Sequence, residues 1–167
     1  VTRDERGVVI RISAEKLLFT RGTANLTPAA SPVLERIAQY IKPMVNNILV
    51  EGFTCDLPIS TAQYPSNWEL SGARASRVVR FFEERDVAAE RMSAVGYGET
   101  RPRFPNTTEA RRMKNRRVDI VILDEVQQKK TATQGKVYRE ALKNGEDRVR
   151  PNLPKVWRET TTGGEQR

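Results

Sequence analysis

The chain predicts an α+β domain, a sheet with helices packed against it. Stretches with two-residue apolar alternation take turns with stretches of three- and four-residue apolar spacing. Two helix-start patterns, Ser66-Asn67-Trp68-Glu69 and Asn106-Thr107-Thr108-Glu109, precede the later helical stretches. With 167 residues the chain is long enough to bury one proper core without disulfides or metals.

Val8 to Ser13 alternates Val8, Ile10 and Ile12 with Val9, Arg11 and Ser13, which predicts a strand with one face better buried. A short apolar piece comes next at Leu17 to Phe19. From Val33 to Val45, the residues Val33, Leu34, Ile37, Ile41, Met44 and Val45 form one helical face. Pro28 and Pro32 confine the regular part of that helix to the residues after Ser31, because proline is best tolerated in the first turn. Ile48 to Phe53 is the next strand, and Leu57 to Tyr64, between Pro58 and Pro65, is a loop. Ser66 then caps a helix that runs to about Arg85. Its apolar stripe is Trp68, Gly72, Ala75, Val78, Val79 and Phe82, with Arg74, Arg77 and Arg80 off the stripe. Met92 to Val95 is a short strand closed by Gly96-Tyr97-Gly98; no third glycine or lysine stands at phosphate-loop spacing, so these glycines read as a turn. The second capping pattern opens a basic helix through Arg111, Arg112 and Lys114, and Val118 to Leu123 is the last strand.

Beyond Glu125 the composition changes. Residues 1–126 read as the folded domain and 127–167 as a polar tail with ten basic and five acidic residues. Lys136 to Lys143 has the pattern of one or two helical turns, and Pro151, Pro154 and Trp157 suggest an extended segment that docks by its aromatic ring.

The absence of histidine, with Cys55 the single cysteine, removes Ser-His and Cys-His nucleophile pairs and His-based or multi-Cys zinc sites. Glu83 and Glu84 are neighbours on one helix and make a poor acid-base pair, so no enzyme is expected, and no cofactor. The net charge of +8 favours an anionic partner: nucleic acid, acidic lipid or an anionic cell-wall polymer. Nucleic acid is the least supported of these, since Tyr138 and Trp157 are a thin set of stacking platforms for the basic tail. No run approaches the roughly 20 apolar residues of a membrane span, and no signal sequence opens the chain. The expectation is either a cytosolic protein or a piece of a longer one.

Four motifs, in order, carry a resemblance. Leu18-Phe19-Thr20-Arg21-Gly22-Thr23-Ala24-Asn25-Leu26-Thr27-Pro28 is similar to the opening segment of OmpA-like domains. Asn67-Trp68-Glu69-Leu70-Ser71-Gly72-Ala73-Arg74-Ala75 resembles their asparagine, leucine-serine and arginine-alanine motif. Gly96-Tyr97-Gly98-Glu99 with Pro102 and Asn106-Thr107, and then Asn115-Arg116-Arg117-Val118, resemble their later signatures. The run Tyr64-Pro65-Ser66-Asn67-Trp68-Glu69-Leu70-Ser71, after a long loop, resembles the flagellar stator proteins of the MotB type.

The resemblance implies a two-layer α/β sandwich, a βαβαβ-type mixed sheet with helices on one face. It also implies a non-catalytic activity, binding of the diaminopimelate-bearing stem peptide of peptidoglycan, and a periplasmic place for the domain in an inner-membrane-anchored bacterial protein. The further partners it implies are a second copy of the chain and a channel-forming membrane subunit met through an upstream membrane segment. A zwitterionic amino-acid end needs a cation for its carboxylate and an anion for its ammonium. Arg74 matches the family's ligand-binding arginine, whose planar fork suits a carboxylate; read without the family, it is an ordinary solvated helix arginine. Thr54, Asn67 and Leu70 match pocket-lining positions, and Asn67 also suits local backbone hydrogen bonding. Of the next pair, Arg116 is the one expected to line the pocket and Arg117 the structural one.

The anion is where this chain departs. The family's glycine-histidine-threonine-aspartate is here Gly52-Phe53-Thr54-Cys55, which puts a thiol with an ordinary pKa of about 8.5 at the carboxylate position. Asp56 supplies the missing charge only if the strand has ended or bulges there, since neighbours along a strand point to opposite faces. Otherwise the alternative is a degenerate module for dimerisation or partner docking that has lost peptidoglycan binding.

Overall fold

A computed structural model describes residues 1–124 and Lys129. The expectations placed on 127–167, the Lys136–Lys143 turns, the docking of Trp157 and the basic tail as a region of its own, lie outside the described residues.

The described residues form a five-stranded sheet in the order β1-β2-β5-β3-β4. The strands are β1 (Thr2–Asp4), β2 (Gly7–Ser13), β3 (Ile48–Phe53), β4 (Met92–Gly96) and β5 (Arg117–Leu123), and the α-helices are α1 (Ala30–Ile41), α2 (Asn67–Glu83) and α3 (Glu109–Asn115). Central β5 runs antiparallel to both β2 and β3, and β3 pairs parallel with β4, so the sheet is mixed. Edge strand β1, which lacks an apolar pattern, is the one strand the sequence did not predict; its register on β2 runs from Thr2 opposite Val9 to Asp4 opposite Gly7.

Alternation along the strands divides the work between two faces. Ile12, Ile48, Val50, Val118 and Ile120 face α1 and α2 and share one core with Leu34, Ile37, Ile41, Val78 and Phe82. Each such fully buried side chain contributes roughly 1.5–3 kcal/mol. On the other face buried Val9 and Val121 lie beside charged residues that are paired. Both Glu51 oxygens accept from Arg6 Nη1 at 2.9 Å, and Asp119 Oδ2 meets Arg11 Nε at 3.3 Å and Arg117 Nε at 3.4 Å.

Helix α1 ends at Ile41, not at Val45, leaving Val45 85% exposed. The cause is Pro43, which has no N–H to continue the ladder. Ser66 caps α2 as predicted, its Oγ accepting from Trp68 N at 3.2 Å. The buried side of α2 is not the predicted stripe, however. Trp68 is 52% exposed, while Asn67, Leu70, Ser71 and Arg74 are buried with Ala75, Val78 and Phe82. A stripe traced through apolar residues alone misses an inward face whose first two turns are polar. Helix α3 is capped by Thr108, accepting from Arg111 N at 3.3 Å, and not by Asn106, where the predicted pattern begins; Asn106 Oδ1 instead accepts from Asn115 Nδ2 at 2.7 Å.

Two glycines let α2 settle on the sheet. A Cβ on Gly52 would lie 2.1 Å from the Ser71 carbonyl oxygen, and one on Gly96 would lie 2.4 Å from Gly72 N. The first half of α2 therefore rests against the ends of β3 and β4, and Ser71 Oγ accepts from Gly98 N at 2.9 Å. That contact fixes where Arg74 enters the interior.

Candidate functional site

The chain leaving β2 turns through one π-helical turn, Ala14–Leu18, which buries Leu18 and Phe19 and is tied to the start of β5 by Ala14 N donating to Arg116 O at 2.9 Å. The chain leaving β3 runs into the loop that holds Thr54, Cys55 and Asp56, and α2 descends between the two. They enclose a cavity of about 190 Å³ lined by Glu15, Arg21, Thr54, Cys55, Asn67, Leu70, Arg74 and Arg116, with Leu57, Pro58 and Ile59 along one side. Two larger hollows exist, of about 490 and 420 Å³. The first lies between β2 and α3, around Ile12, Phe104 and Met113, and the second is filled with the mutually paired Glu51, Arg6, Arg117 and Asp119. Neither brings the motif residues together; the smaller cavity does.

Arg74 is the most distinctive group in it. The side chain is 1% exposed, Nε donates to Thr23 O at 2.8 Å and the guanidinium lies 5.3 Å from the Phe19 ring centroid. No carboxylate among the described residues pairs with it, and Nη2 is buried without a hydrogen-bond partner. Burial lowers its pKa below the ordinary arginine value and the field of Glu15 opposes that, but an arginine starts high enough to stay charged. The expectation that Arg74 lies off the buried side of α2 is thus corrected: Arg77 and Arg80 behave as surface residues and pair with Glu84, whereas Arg74 points inward. Beside it, buried Thr54 holds its place by donating N–H to Gly98 O at 2.9 Å, and its Oγ1 also lacks a partner.

Asn67 uses its amide on the backbone, with Nδ2 donating to Leu57 O at 3.0 Å and to Cys55 O at 3.4 Å. It shapes the loop that forms one wall. Leu70 packs with Ala24 and Tyr64 as a small apolar cluster under the cavity.

Cys55 is buried, and its Sγ accepts from Arg116 Nη1 at 3.2 Å. Arg116 also donates from Nη2 to Glu109 Oε1, and its Nε lies 2.9 Å from Glu15 Oε2. The Nε contact is off the N–H axis, so Nε makes no hydrogen bond and the pair is held by charge alone. Burial works against the Arg116 charge, but Glu109, Cys55 and Glu15 together outweigh it and raise the pKa. The hydrogen bond from Arg116 in turn lowers the pKa of Glu109.

One predicted position, Asp56, separates from this group, and Arg117, the member of its pair expected to be structural, also lies elsewhere. The strand has indeed ended before Asp56, but the chain bends there and carries the side chain outward, where Oδ1 accepts from Arg112 Nε at 2.8 Å. Asp56 does not line the cavity, so the carboxylate expected from it is not there. Arg117 faces the opposite side of the sheet, stacked 3.7 Å over the Phe53 ring and paired with Asp119. Sequence reasoning missed Glu15 altogether. The antiparallel register that sets Ser13 opposite Arg117 carries the next residues, Glu15 among them, past Arg116, and that signal exists only once the pairing is known.

Among the described residues no cluster of acidic and cysteine side chains could hold a metal ion, and no helix is long and apolar enough to cross a membrane.

A profile of the OmpA family matches residues 18–116. Among curated proteins the chain is 46% identical to the uncharacterized protein YtxE of Bacillus subtilis over 72% of this chain and 50% of that protein. It is 34% identical to motility protein B of the same organism, over 70% and 45%. Peptidoglycan-binding protein ArfA of Mycobacterium tuberculosis is 30% identical, over 71% and 36%. The chain spans about half the length of the first of these relatives. Among solved structures, the cell wall anchor of the T6SS from Pseudomonas aeruginosa superposes with a TM-score of 0.66 at 35% identity, covering 70% of this chain and 81% of that one. The periplasmic domain of Helicobacter pylori MotB gives 0.68 at 28% identity, covering 78% and 85%.

Proposed function

The chain belongs to the OmpA family, and we propose that its cavity binds peptidoglycan without covalent chemistry, gripping the stem peptide through a diaminopimelate carboxylate. One observation carries this reading: Arg74 is a buried, fully charged guanidinium with an unpartnered Nη2, next to the unpartnered Oγ1 of Thr54. A buried charge left unpaired costs several kcal/mol, and an entering carboxylate supplies the missing acceptors. Thr54, Cys55, Asn67, Leu70, Arg74 and Arg116 form the ligand-binding set, with Asn67 shaping the loop. The kinship with a peptidoglycan-binding protein and a cell wall anchor supports the same reading.

By extension, the domain is the periplasmic, wall-holding part of a membrane-anchored protein of stator type. It would work as a homodimer with a channel-forming partner subunit reached through an upstream membrane segment, and the polar 127–167 would form a region of its own. Kinship to motility protein B supports this wider reading.

Sedimentation of the chain with purified insoluble peptidoglycan tests the central claim. The parent is expected to co-sediment and Arg74→Ala to remain in solution; a folded parent that stays in the supernatant overturns the reading. Cys55 favours one alternative, since a thiol stands where the family carries a carboxylate: a degenerate module used for dimerisation or partner docking. That reading predicts a folded parent that ignores the wall polymer and self-associates.

A further inference from the structure

We infer that Glu15 is the carboxylate that receives the ligand's ammonium group, taking from the turn after β2 the part that Cys55 cannot take from the loop after β3. The inference rests on the proposed peptidoglycan reading and names the second half of its recognition set.

Three observations lead to Glu15. First, it is the one acidic side chain that lines the cavity, since Asp56 is turned outward onto Arg112. Second, its carboxylate is partly buried, at 19% exposure, yet no described group donates a hydrogen bond to it; the Arg116 Nε contact at 2.9 Å is ionic only. A half-buried carboxylate with free lone pairs is an acceptor awaiting donors, and an ammonium group brings three. Third, the charges around the cavity are divided. Arg74 has no carboxylate partner, whereas Glu15 lies against Arg116, whose guanidinium is also engaged by Glu109 and Cys55. Arg21 also lines the cavity, but from an exposed position at its mouth where water screens it. Glu15 is near enough to Arg74 that its field is the largest influence opposing the effect of burial there. A cavity with an unpartnered cation at one end and a carboxylate with open acceptor positions at the other fits the end of an amino acid that carries both charges. It does not fit a simple dicarboxylate.

Cys55 marks the same spot from the other side. Its Sγ and a Glu15 oxygen contact the same guanidinium, Arg116, at 3.2 and 2.9 Å. A carboxylate placed at position 55 is therefore expected to reach the same ammonium.

The test measures binding of the full chain to peptidoglycan that contains diaminopimelate, using native sacculi and sacculi whose free amino groups have been acetylated. The parent, Glu15→Gln, Arg74→Ala and the double variant Glu15→Gln/Cys55→Asp are compared. Acetylation is expected to weaken the parent roughly tenfold or more, the worth of a hydrogen bond between charged groups. Glu15→Gln should lose a similar factor on native sacculi and show little further loss on acetylated ones. Adding Cys55→Asp should restore binding to native sacculi only. If Arg74→Ala loses binding while Glu15→Gln binds like the parent, peptidoglycan binding stands and the role of Glu15 falls. Equal binding of the parent to native and acetylated sacculi sinks the inference without recourse to any variant. A folded parent that binds neither sinks the underlying reading as well.

Discussion

Replacing Arg74 with methionine should abolish binding and leave the domain about as stable as before, or more so. In the free domain Arg74 makes one hydrogen bond, Nε to Thr23 O at 2.8 Å, and one cation–ring contact at 5.3 Å. A hydrogen bond from a charged donor is worth about 1.5–3 kcal/mol, and a desolvated cation–π contact about 2 kcal/mol at best. Against them stands the desolvation of a guanidinium that is 1% exposed and has no carboxylate partner, a cost of several kcal/mol even after relaxation. Methionine keeps an unbranched stem of similar reach and a sulfur contact to Phe19, without the charge. The opposing contributions nearly cancel, and the expected net change is within about 1 kcal/mol of zero, on the stabilising side. For a domain of this size that is a shift of at most about 4 °C in Tm. Binding should fall at least about a hundredfold, as when one member of a buried charge pair is removed. The assay is thermal and urea unfolding of parent and variant beside sedimentation with peptidoglycan. A variant destabilised by more than about 2 kcal/mol would refute the reasoning, because Arg74 would then be held for the fold and not kept in waiting for a ligand.

Asn67→Ala removes the donors to Leu57 O and Cys55 O; stability should fall by about 1–2 kcal/mol, read by urea unfolding, and peptidoglycan binding should weaken with it because the 55–57 wall loosens. Gly52→Ala places a Cβ 2.1 Å from Ser71 O; the forced separation of α2 from β3 should cost about 1–3 kcal/mol or more, visible as a lower urea midpoint. Arg6→Ala strands Glu51, which is 2% exposed; loss of one partner from such a pair should cost about 3 kcal/mol, and Glu51→Gln in the same background should recover part of it. Hydrogen bonding to Arg6 is the leading cause that lowers the pKa of Asp4 below its ordinary 3.8, and Arg116 does the same for Glu109. A lowered folded-state pKa means stability that is present above the unfolded value and lost as pH falls through the folded one. The Tm should therefore hold steady above about pH 5 and drop below about pH 4; an acid limb unchanged in Arg6→Ala would speak against the Asp4 contribution.

Much of the fold could be read from local pattern. The Ser66 cap, the β3 boundaries and the inward place of Ile12 come from capping chemistry and alternation, which act over a few residues, whereas Val9, on the face expected to be less buried, is fully buried. The features hidden from the sequence depend on contacts far along the chain. Thr2–Asp4 becomes a strand because β2 offers it an edge, not because of its own propensity. Trp68 looked buried and is exposed, and Arg74 looked exposed and is buried, because the inward face of α2 is set by where Gly52 and Gly96 let the helix touch down. At the site, the resemblance to OmpA-like domains pointed to Thr54, Cys55, Asn67, Leu70, Arg74 and Arg116, which the fold gathers around one cavity. It missed Glu15 and misplaced Asp56, since the bend after Thr54 and the β2–β5 register are properties of the folded chain alone.

The distribution of unpaired polar atoms locates the site better than cavity size does. Both faces of the sheet bury charge, but on the face away from the helices each charge meets its opposite: Arg6 with Glu51, and Arg11 and Arg117 with Asp119. Among the described residues the buried side-chain atoms without a hydrogen-bond partner are Thr54 Oγ1, Arg74 Nη2, Arg116 Nε and Asp119 Oδ1. The first three line a single cavity, the smallest of the three described, while the fourth sits in a carboxylate whose other oxygen is doubly engaged. A fold able to engage both oxygens of Glu51 with Arg6 has the means to pair Arg74. That the chain leaves this one guanidinium open, at a cost borne in every free molecule, fits the proposal of an acceptor that comes from outside.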